Sequence, residues 1–393
     1  MDPIPFHVPS LDESDIPGVI EVLRERWVTT GPKCREFESE FARYLSEDSG
    51  ETLHCIAVNS GTAALHLALE ALGVGPGHLV LCPSFTFTAS AEVARYLGAD
   101  PLLVDNDPDE LHVSAKAFQK AYEALPADQR KRVKAVLAVH YGGAPVEMEE
   151  LEKFCESEGL GLVDDAAHAL PTRRRKKLIG RYGDVTAFSF YATKTLCTGE
   201  GGMAVTRNAE LAPRMRTMRL HGISHDVFDR YRKTDSWYYE VVAPGYKYNM
   251  SDIMAALGLS QLKLIDDFRL RRAAIAAAYS ENFAKVEGLI APMETYDGDR
   301  NSWHLYPLRV MGGRAVRDAL ITELARRGIG TSVHFIPLHL QPYYRDTYQL
   351  SPQSFPNAQA LFESEISLPV YPSMNADQLR WVIDQVVESV SLG

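Results

Sequence analysis

Between residues 50 and 210, short apolar runs alternate with segments of helical spacing, and this alternation constrains the fold more than any other feature of the chain. The strand-like runs are HCIAVNS, HLVLCPS, DPLLVDND, VKAVLAVHY, GLGLVDDA and DVTAFSFY. The pieces between them, such as TAALHLALEALGVG and MEELEKFCESEGL, repeat apolar residues at helical spacing and end near glycine. Strands separated by helices imply a mostly parallel sheet covered on both faces, an α/β architecture. In such sheets the polar residues of a site collect just beyond the carboxyl ends of the strands.

Farther along, SDIMAALGLSQLKLIDDFRLRRAAIAAAYSENFAKV reads as one long helix with Ser251 as its N-cap. WHLYPLRVM, a helical AVRDALITELARRG, a strand-like GTSVHF and a last helix from about Asp377 follow. The expected division is a large domain over residues 1–265 and a smaller α+β domain over 266–393. There is no internal repeat and no low-complexity linker.

Charge and cysteine usage exclude several classes. With a net charge of -11, the chain lacks the surplus of Lys and Arg that binding to nucleic acid or an anionic membrane requires. The basic run Arg173-Arg174-Arg175-Lys176-Lys177 is a local exception and reads as a solvated turn between strands; a grip on a substrate diphosphate is the alternative. Cys34, Cys55, Cys82, Cys155 and Cys197 are scattered and odd in number, so neither a disulfide framework nor a metal site is expected. The N-terminus is no signal peptide and no stretch has the length of a membrane span, so a cytoplasmic, reducing location is expected.

Four stretches carry chemistry. In VNSGTAALHLAL a strand gives way to a helix at Asn59-Ser60-Gly61-Thr62, where bare amides, a hydroxyl and the helix dipole suit an anion; a simple N-cap by Ser60 or Thr62 is the plainer reading. CPSFTFTAS places Phe85 and Phe87 directly after a strand, where an aromatic either joins the core or stacks on a flat ring. LVDDAAHA puts Asp164, Asp165 and His168 after another strand, as cofactor ligands or as a helix cap and a structural histidine. SFYATKTLCTGEGGM holds a lone lysine, Lys194, with no charged residue within five positions on either side and glycines close behind. It is either a lysine snorkelling from a strand end or an amine kept neutral to form a Schiff base. Taken together at consecutive strand ends, the four match what pyridoxal phosphate requires: an anion cradle, a ring stacker, a carboxylate for the pyridine nitrogen and an imine-forming lysine.

The chain resembles the DegT-type sugar aminotransferases, a branch of the pyridoxal-phosphate enzymes of fold type I. The resemblance runs nearly end to end, through WVTTGPKCREFE, NSGTAALHLAL, DDAAHA, SFYATKTLCTGEGG, PGYKYNMSDIMAALGLSQL, VHFIPLHLQPYY and SLPVYP. It implies that Lys194 is the lysine bonded to the cofactor and later the proton shuttle. Asp165 would pair with the pyridine nitrogen, His168 with the phenolic oxygen, and Phe87 would stack on the ring. Gly61, Thr62 and Ser189 would hold the phosphate, with Asn249 reaching it from the other subunit of a homodimer. The implied reaction moves an amino group from glutamate to C4 of a nucleotide-linked 4-keto-sugar. YYEVVAPGYKYNMSD and RGIGTSVHFIPLHLQ are most similar to the branch that aminates UDP-4-keto-pentoses or 4-keto-6-deoxyhexoses, nearest the enzymes that make UDP-4-amino-4-deoxy-L-arabinose, which favours UDP. His334, Thr29 and Thr30 are candidates for touching the sugar or the donor carboxylate; a hydrogen-bonded strand histidine and a plain turn are the alternatives. Pocket walls in the family come from loops such as 27–32, 170–180 and 225–245.

Two departures stand out. The family often has Lys-Asn where this chain has Lys194-Thr195, and often Trp or Tyr where it has Phe87. Three other readings compete. A non-catalytic regulator on the same fold would be signalled by loss of the lysine or carboxylate, and both are present. A keto-sugar dehydratase would carry histidine at the lysine. A nicotinamide or P-loop enzyme would need G-x-G-x-x-G or G-x-x-x-x-G-K-[ST], and the chain has neither.

Overall fold

A computed structural model describes residues 2–47, 49–108, 110–223, 238–293 and 299–391. The six strand-like runs all form strands: β1 (His54–Val58), β2 (Leu79–Pro83), β3 (Asp100–Val104), β4 (Val133–Val139), β5 (Gly161–Asp165) and, beyond a short hairpin of β6 (Arg173–Arg174) and β7 (Lys177–Leu178), β8 (Val185–Ser189). A seventh, β9 (Gly202–Thr206), completes the sheet in the order β1-β9-β8-β5-β4-β2-β3. The pairs β2–β3, β2–β4, β4–β5 and β5–β8 are parallel, and β9 runs antiparallel to both β1 and β8.

Successive side chains of each strand feed different cores, which is why the strands read as continuous apolar runs. Cys55 and Ala57 of β1 pack with Phe37, Phe41 and Phe188 on one face, whereas Ile56 and Val58 pack with the helices Gly61–Ala71 and Ala89–Tyr96 on the other. The hairpin accounts for the basic run. Arg174 lies 2.9 Å from Asp299 and 3.3 Å from Glu149, Arg175 is 3.4 Å from Glu150, and Arg173 pairs with Glu47. The run is a turn between strands as expected, but it is not wholly solvated: Arg174 is buried between Asp299 and Glu149, whose carboxylates compensate its charge.

The expected single helix over 251–286 is two helices, Asp252–Leu262 and Ile265–Phe283. At the junction the backbone bonds tighten to Lys263 N–H→Ser260 and Leu264 N–H→Gln261, ending the first helix. The break lets each half serve a different core. Ala255 packs against the sheet layer, while Ile275, Tyr279 and Phe283 join a separate core with β10 (Leu289–Ile290), β11 (Tyr306–Val310) and β12 (Glu365–Leu368). Ser251 is the N-cap, its hydroxyl accepting the Met254 N–H at 3.3 Å. Ile4, near the chain start, also enters this second core and bridges Ile329. The last helix, Ala376–Ser391, begins where expected.

GTSVHF is not a strand: its ladder with the small sheet is confined to a bridge from Ser332 to Ser367, and His334 meets β12 through the side chains of Glu365 and Ser367 instead. Among the described residues no helix is long and apolar enough to cross a membrane.

Candidate active site

The anion cradle forms where β1 meets the helix Gly61–Ala71. Ser60 has extended backbone, and its hydroxyl accepts the Ala63 N–H at 3.0 Å, so it is the N-cap. The first-turn N–H groups have no partner inside a helix. Ser60 serves Ala63 alone, which leaves the N–H groups of Gly61 and Thr62, both at the cavity wall, for a ligand. The cradle is built from close backbone approaches. A Cβ on Gly61 would lie 2.8 Å from the Ser189 Cβ, and one on Gly202 would lie 2.5 Å from the Ser60 carbonyl oxygen and 2.7 Å from the Gly61 nitrogen. The N-cap and anion readings are therefore compatible: Ser60 caps, and Gly61, Thr62 and Ser189 surround a space suited to phosphate.

Asp165, the last residue of β5, accepts the Ser90 hydroxyl at 2.8 Å and the Ala167 N–H at 3.1 Å. Ser90 in turn contacts the Thr86 hydroxyl at 2.9 Å. Burial pushes the Asp165 carboxyl up, while these two bonds and the Lys194 charge pull it back. Behind it, Asp164 pairs with His140 in full burial. The Val146 N–H donates to His140 Nδ1 at 3.0 Å, which assigns the ring proton to Nε2, facing Asp164. Asp164 is thus structural support beneath Asp165.

His168 lies at the cavity wall with its Nδ1 3.2 Å from the Gly142 N–H. Nδ1 is the acceptor, so the ring's proton is on Nε2 and available as a donor. Burial holds His168 well below the ordinary histidine range, with the Lys194 charge adding to the effect.

Lys194 closes a tight turn in which its N–H bonds the Tyr191 carbonyl at 2.8 Å. Burial lowers its amine from 10.5 to about 8, with Asp165 opposing the shift. The side chain is no snorkelling surface lysine, because it lines the same cavity as Asp165 and His168. His7, His304 and His334 are also depressed, first by burial, and Lys194 contributes to each. His304 packs against His168 with ring centroids 4.3 Å apart and the rings tilted by 40°.

The two aromatic candidates separate cleanly. Phe85 is 1% exposed and stacks on Tyr141 in the core, whereas Phe87 is 55% exposed, lines the cavity and meets Phe335 at 5.7 Å. His334 also lines this cavity of about 450 Å³.

Thr29, Thr30 and Asn249 are not among the residues lining it. The Asn249 amide donates to Thr30 Oγ1 at 2.7 Å, and that hydroxyl donates to the Met250 carbonyl at 2.5 Å. Asp252 fixes the stretch by accepting the Gly31, Cys34 and Lys33 N–H groups at 2.7, 3.0 and 3.1 Å, thereby capping the helix Pro32–Ser46. Of loop 225–245, residues 225–237 lie outside the described residues.

Sequence order gives little warning of Ser90, His304 and Asp252 as parts of this arrangement. Ser90 and Asp252 sit inside motifs quoted above, but their partners are far away in the chain.

The residues fit pyridoxal phosphate. Glycines open a cradle at a helix N-terminus, a buried carboxylate stands at a strand end, an amine of lowered basicity faces it, and an exposed aromatic flanks the space. Comparison with known proteins agrees. The model of the DegT/DnrJ/EryC1/StrS aminotransferase family matches residues 9–387. The spore coat polysaccharide biosynthesis protein SpsC of Bacillus subtilis (strain 168) is 43% identical over 98% of this chain and 96% of its own length. Among solved structures, Spr1654 of Streptococcus pneumoniae, assigned as a sugar aminotransferase, superposes in its PMP-form with a TM-score of 0.90 at 32% identity, covering 99% of each chain, and is also solved in a PLP-form. PseC of Helicobacter pylori, an aminotransferase involved in the biosynthesis of pseudoaminic acid, superposes with a TM-score of 0.89 at 27% identity over 100% of each chain. The chain belongs to the DegT/DnrJ/EryC1/StrS aminotransferase family, and it is a sugar aminotransferase that uses pyridoxal phosphate.

Proposed function

We propose that this enzyme takes the amino group of glutamate and delivers it to C4 of a nucleotide-linked 4-keto-sugar, with UDP as the nucleotide, giving a 4-amino-4-deoxy sugar nucleotide. The observation that carries the reading is the lowered Lys194 amine facing Asp165 across the cavity of a sugar aminotransferase. The resemblance of YYEVVAPGYKYNMSD and RGIGTSVHFIPLHLQ to the UDP-pentose branch supports the choice of sugar. The involvement of SpsC in polysaccharide biosynthesis and of PseC in pseudoaminic acid biosynthesis supports a product destined for a surface glycan.

Bound in the cavity, pyridoxal phosphate supplies an electron sink and carries the amino group between the two substrates. The protein's residues divide the remaining work. Gly61, Thr62 and Ser189 hold the phosphate, and Phe87 covers one face of the ring. Asp165, held by Ser90 and Ala167, keeps the pyridine nitrogen protonated. His168 donates its Nε2 proton to the phenolic oxygen. Lys194 takes a proton from Cα of glutamate and, in the second half, returns one to C4 of the sugar. His334 approaches the sugar or the donor carboxylate.

The Thr30–Asn249 pair lies outside its own chain's cavity, which supports a homodimer in which it completes the partner's site, Asn249 reaching the phosphate. A panel of nucleotide-linked keto-sugars with glutamate, followed by 2-oxoglutarate release, tests the reaction. Parallel double-reciprocal lines are expected because the two half-reactions share one site. Intersecting lines, or no 2-oxoglutarate with any keto-sugar nucleotide, would refute this substrate assignment.

A further inference from the structure

Behind His334 runs a buried chain of hydrogen bonds for which the roles above have no use. His334 Nδ1 is 2.9 Å from Ser367 Oγ, and Ser367 Oγ hydrogen-bonds Glu365 Oε1. The other oxygen of Glu365 accepts the His334 backbone N–H at 2.9 Å. The Tyr141 hydroxyl hydrogen-bonds the His334 carbonyl and reaches the Glu365 carboxyl. Glu365 and Ser367 are fully buried in β12, and the ring at the other end of the chain lines the active-site cavity.

The charged and titratable surroundings are few. Arg317, on the helix Arg314–Arg326, directs Nη1 to the Glu365 main-chain carbonyl at 2.7 Å, and Arg309, opposite Glu365 in β11, donates to Ser364 Oγ at 3.3 Å. Around the His334 ring stand Phe6, stacked at 5.4 Å, Phe335, edge-on at 5.0 Å, and the charge of Lys194, with the neutral ring of His168 nearby.

We propose that Glu365 and Ser367 are positioning residues that decide which ring nitrogen of His334 holds its proton, making Nε2 either a donor or an acceptor toward bound substrate. Burial depresses His334 to about 4, so the ring is neutral and carries one proton at ordinary pH. When Glu365 is protonated, its O–H donates to Ser367 Oγ, the serine O–H donates to His334 Nδ1, and the ring proton resides on Nε2, facing the cavity. When Glu365 is ionised, the serine O–H turns to the carboxylate, Oγ accepts from Nδ1–H, and Nε2 presents a lone pair. Passing from the first state to the second, an acceptor in the cavity takes the Nε2 proton, serine passes its proton to Nδ1, and Glu365 passes its proton to serine. One proton leaves the carboxyl and one appears at the cavity end, with no heavy-atom bond made or broken. Burial raises Glu365 to about 8, which puts the exchange near neutral pH.

The tautomer is a property of the unliganded protein; only the identity of what Nε2 touches rests on the proposed function. The test is therefore made on apoprotein with ¹⁵N-labelled histidine, the His334 signals being assigned by their loss in His334→Gln. Wild type is expected to hold the Nε2–H form well below pH 8 and to convert to Nδ1–H around about pH 8. Glu365→Gln, whose amide donates to Ser367 at every pH, is expected to hold Nε2–H throughout, and Ser367→Ala to remove the pH dependence. A protonated-carboxyl infrared band that titrates near the same pH and vanishes in Glu365→Gln gives independent support. A single wild-type tautomer across that range, or conversion of Glu365→Gln near pH 8, overturns the proposal. Because the readout needs no turnover, a wrong choice of sugar or donor would fail in the transamination assay and leave this result standing.

Discussion

An amine that attacks a carbonyl carbon must first be neutral, so the basicity of Lys194 is a consequence that can be measured. At a pKa of about 8, about one tenth of the Lys194 population is neutral at pH 7, against about one in three thousand for an ordinary lysine, roughly a 300-fold enrichment. The 10.5-to-8 shift corresponds to roughly 3 kcal/mol of disfavoured charge. The sign follows from the direction: the unfolded chain binds this proton more tightly than the folded one between pH 8 and 10.5, so folding stability rises with pH across that window. Asp165 opposes the shift, so Asp165→Asn, which removes the charge, should lower the Lys194 pKa further. Competitive acetylation of the apoprotein across pH, with the Lys194 peptide quantified by mass spectrometry against surface lysines, reads the value without cofactor or substrate. Half-maximal reactivity is expected near pH 8 in wild type and lower in Asp165→Asn. Lys194→Met should abolish transamination while raising stability at neutral pH by up to roughly 3 kcal/mol, the buried charge having been removed. Titration of Lys194 together with the surface lysines, or an upward shift in Asp165→Asn, would refute the reasoning.

Further outcomes follow from the same geometry. Gly202→Ala places a Cβ 2.5 Å from the Ser60 carbonyl oxygen; it should cost roughly 1–3 kcal/mol of stability and weaken cofactor retention in equilibrium dialysis more than Ser189→Ala does. Asp252→Ala leaves three N–H groups at the start of the helix Pro32–Ser46 without their acceptor and should lower the unfolding free energy by about 2 kcal/mol in a urea titration. Glu365 is raised from 4.5 to about 8, so the unfolded chain ionises first and this group's contribution to stability is lost as pH rises through that window. Glu365→Gln should flatten the decline in denaturant midpoint, with a difference of at most roughly 5 kcal/mol at the alkaline end. Asn249→Ala should weaken cofactor retention with little change in unfolding midpoint, and sedimentation of a stable, active monomer would reject the shared site.

Much of this arrangement was legible in the chain because it is local. The six strands of the alternating region announce themselves as apolar runs, and Asp165, Ser189 and Phe87 stand at or just beyond strand ends, where the topology places a site. What is not legible there is non-local or masked by composition. GMAVT, which forms β9, follows a glycine-rich stretch and looks like the tail of a loop. The break after Leu262 has neither Gly nor Pro to mark it, since the backbone tightens there to satisfy two cores. GTSVHF has strand composition, but its ladder with β12 is confined to the Ser332–Ser367 bridge, because His334 bonds the side chains of that strand rather than its backbone. The Thr30–Asn249 bond, the Ser90–Asp165 bond and the relay from His334 to Glu365 each join distant positions, for which no spacing rule exists. In the sequence Glu365 merely ends the stretch ESE that precedes the apolar run ISLPV.

The position of β9 governs the order in which this protein can be assembled. β1 has β9 as its neighbour in the sheet, with His54 opposite Thr206, so the first strand made must wait for the last strand of that sheet. Until then its amides lack a ladder, and the turn at Ser60 lacks the glycine against which it closes. Loop closure over such a span makes for slow, high-contact-order folding. A ribosome-bound chain stopped before Gly202 should therefore retain no pyridoxal phosphate, and one released beyond Thr206 should be the first able to close the cradle. Cofactor capture then reports completion of the whole sheet, and an excess of the vitamin during synthesis should rescue destabilised variants only after that point.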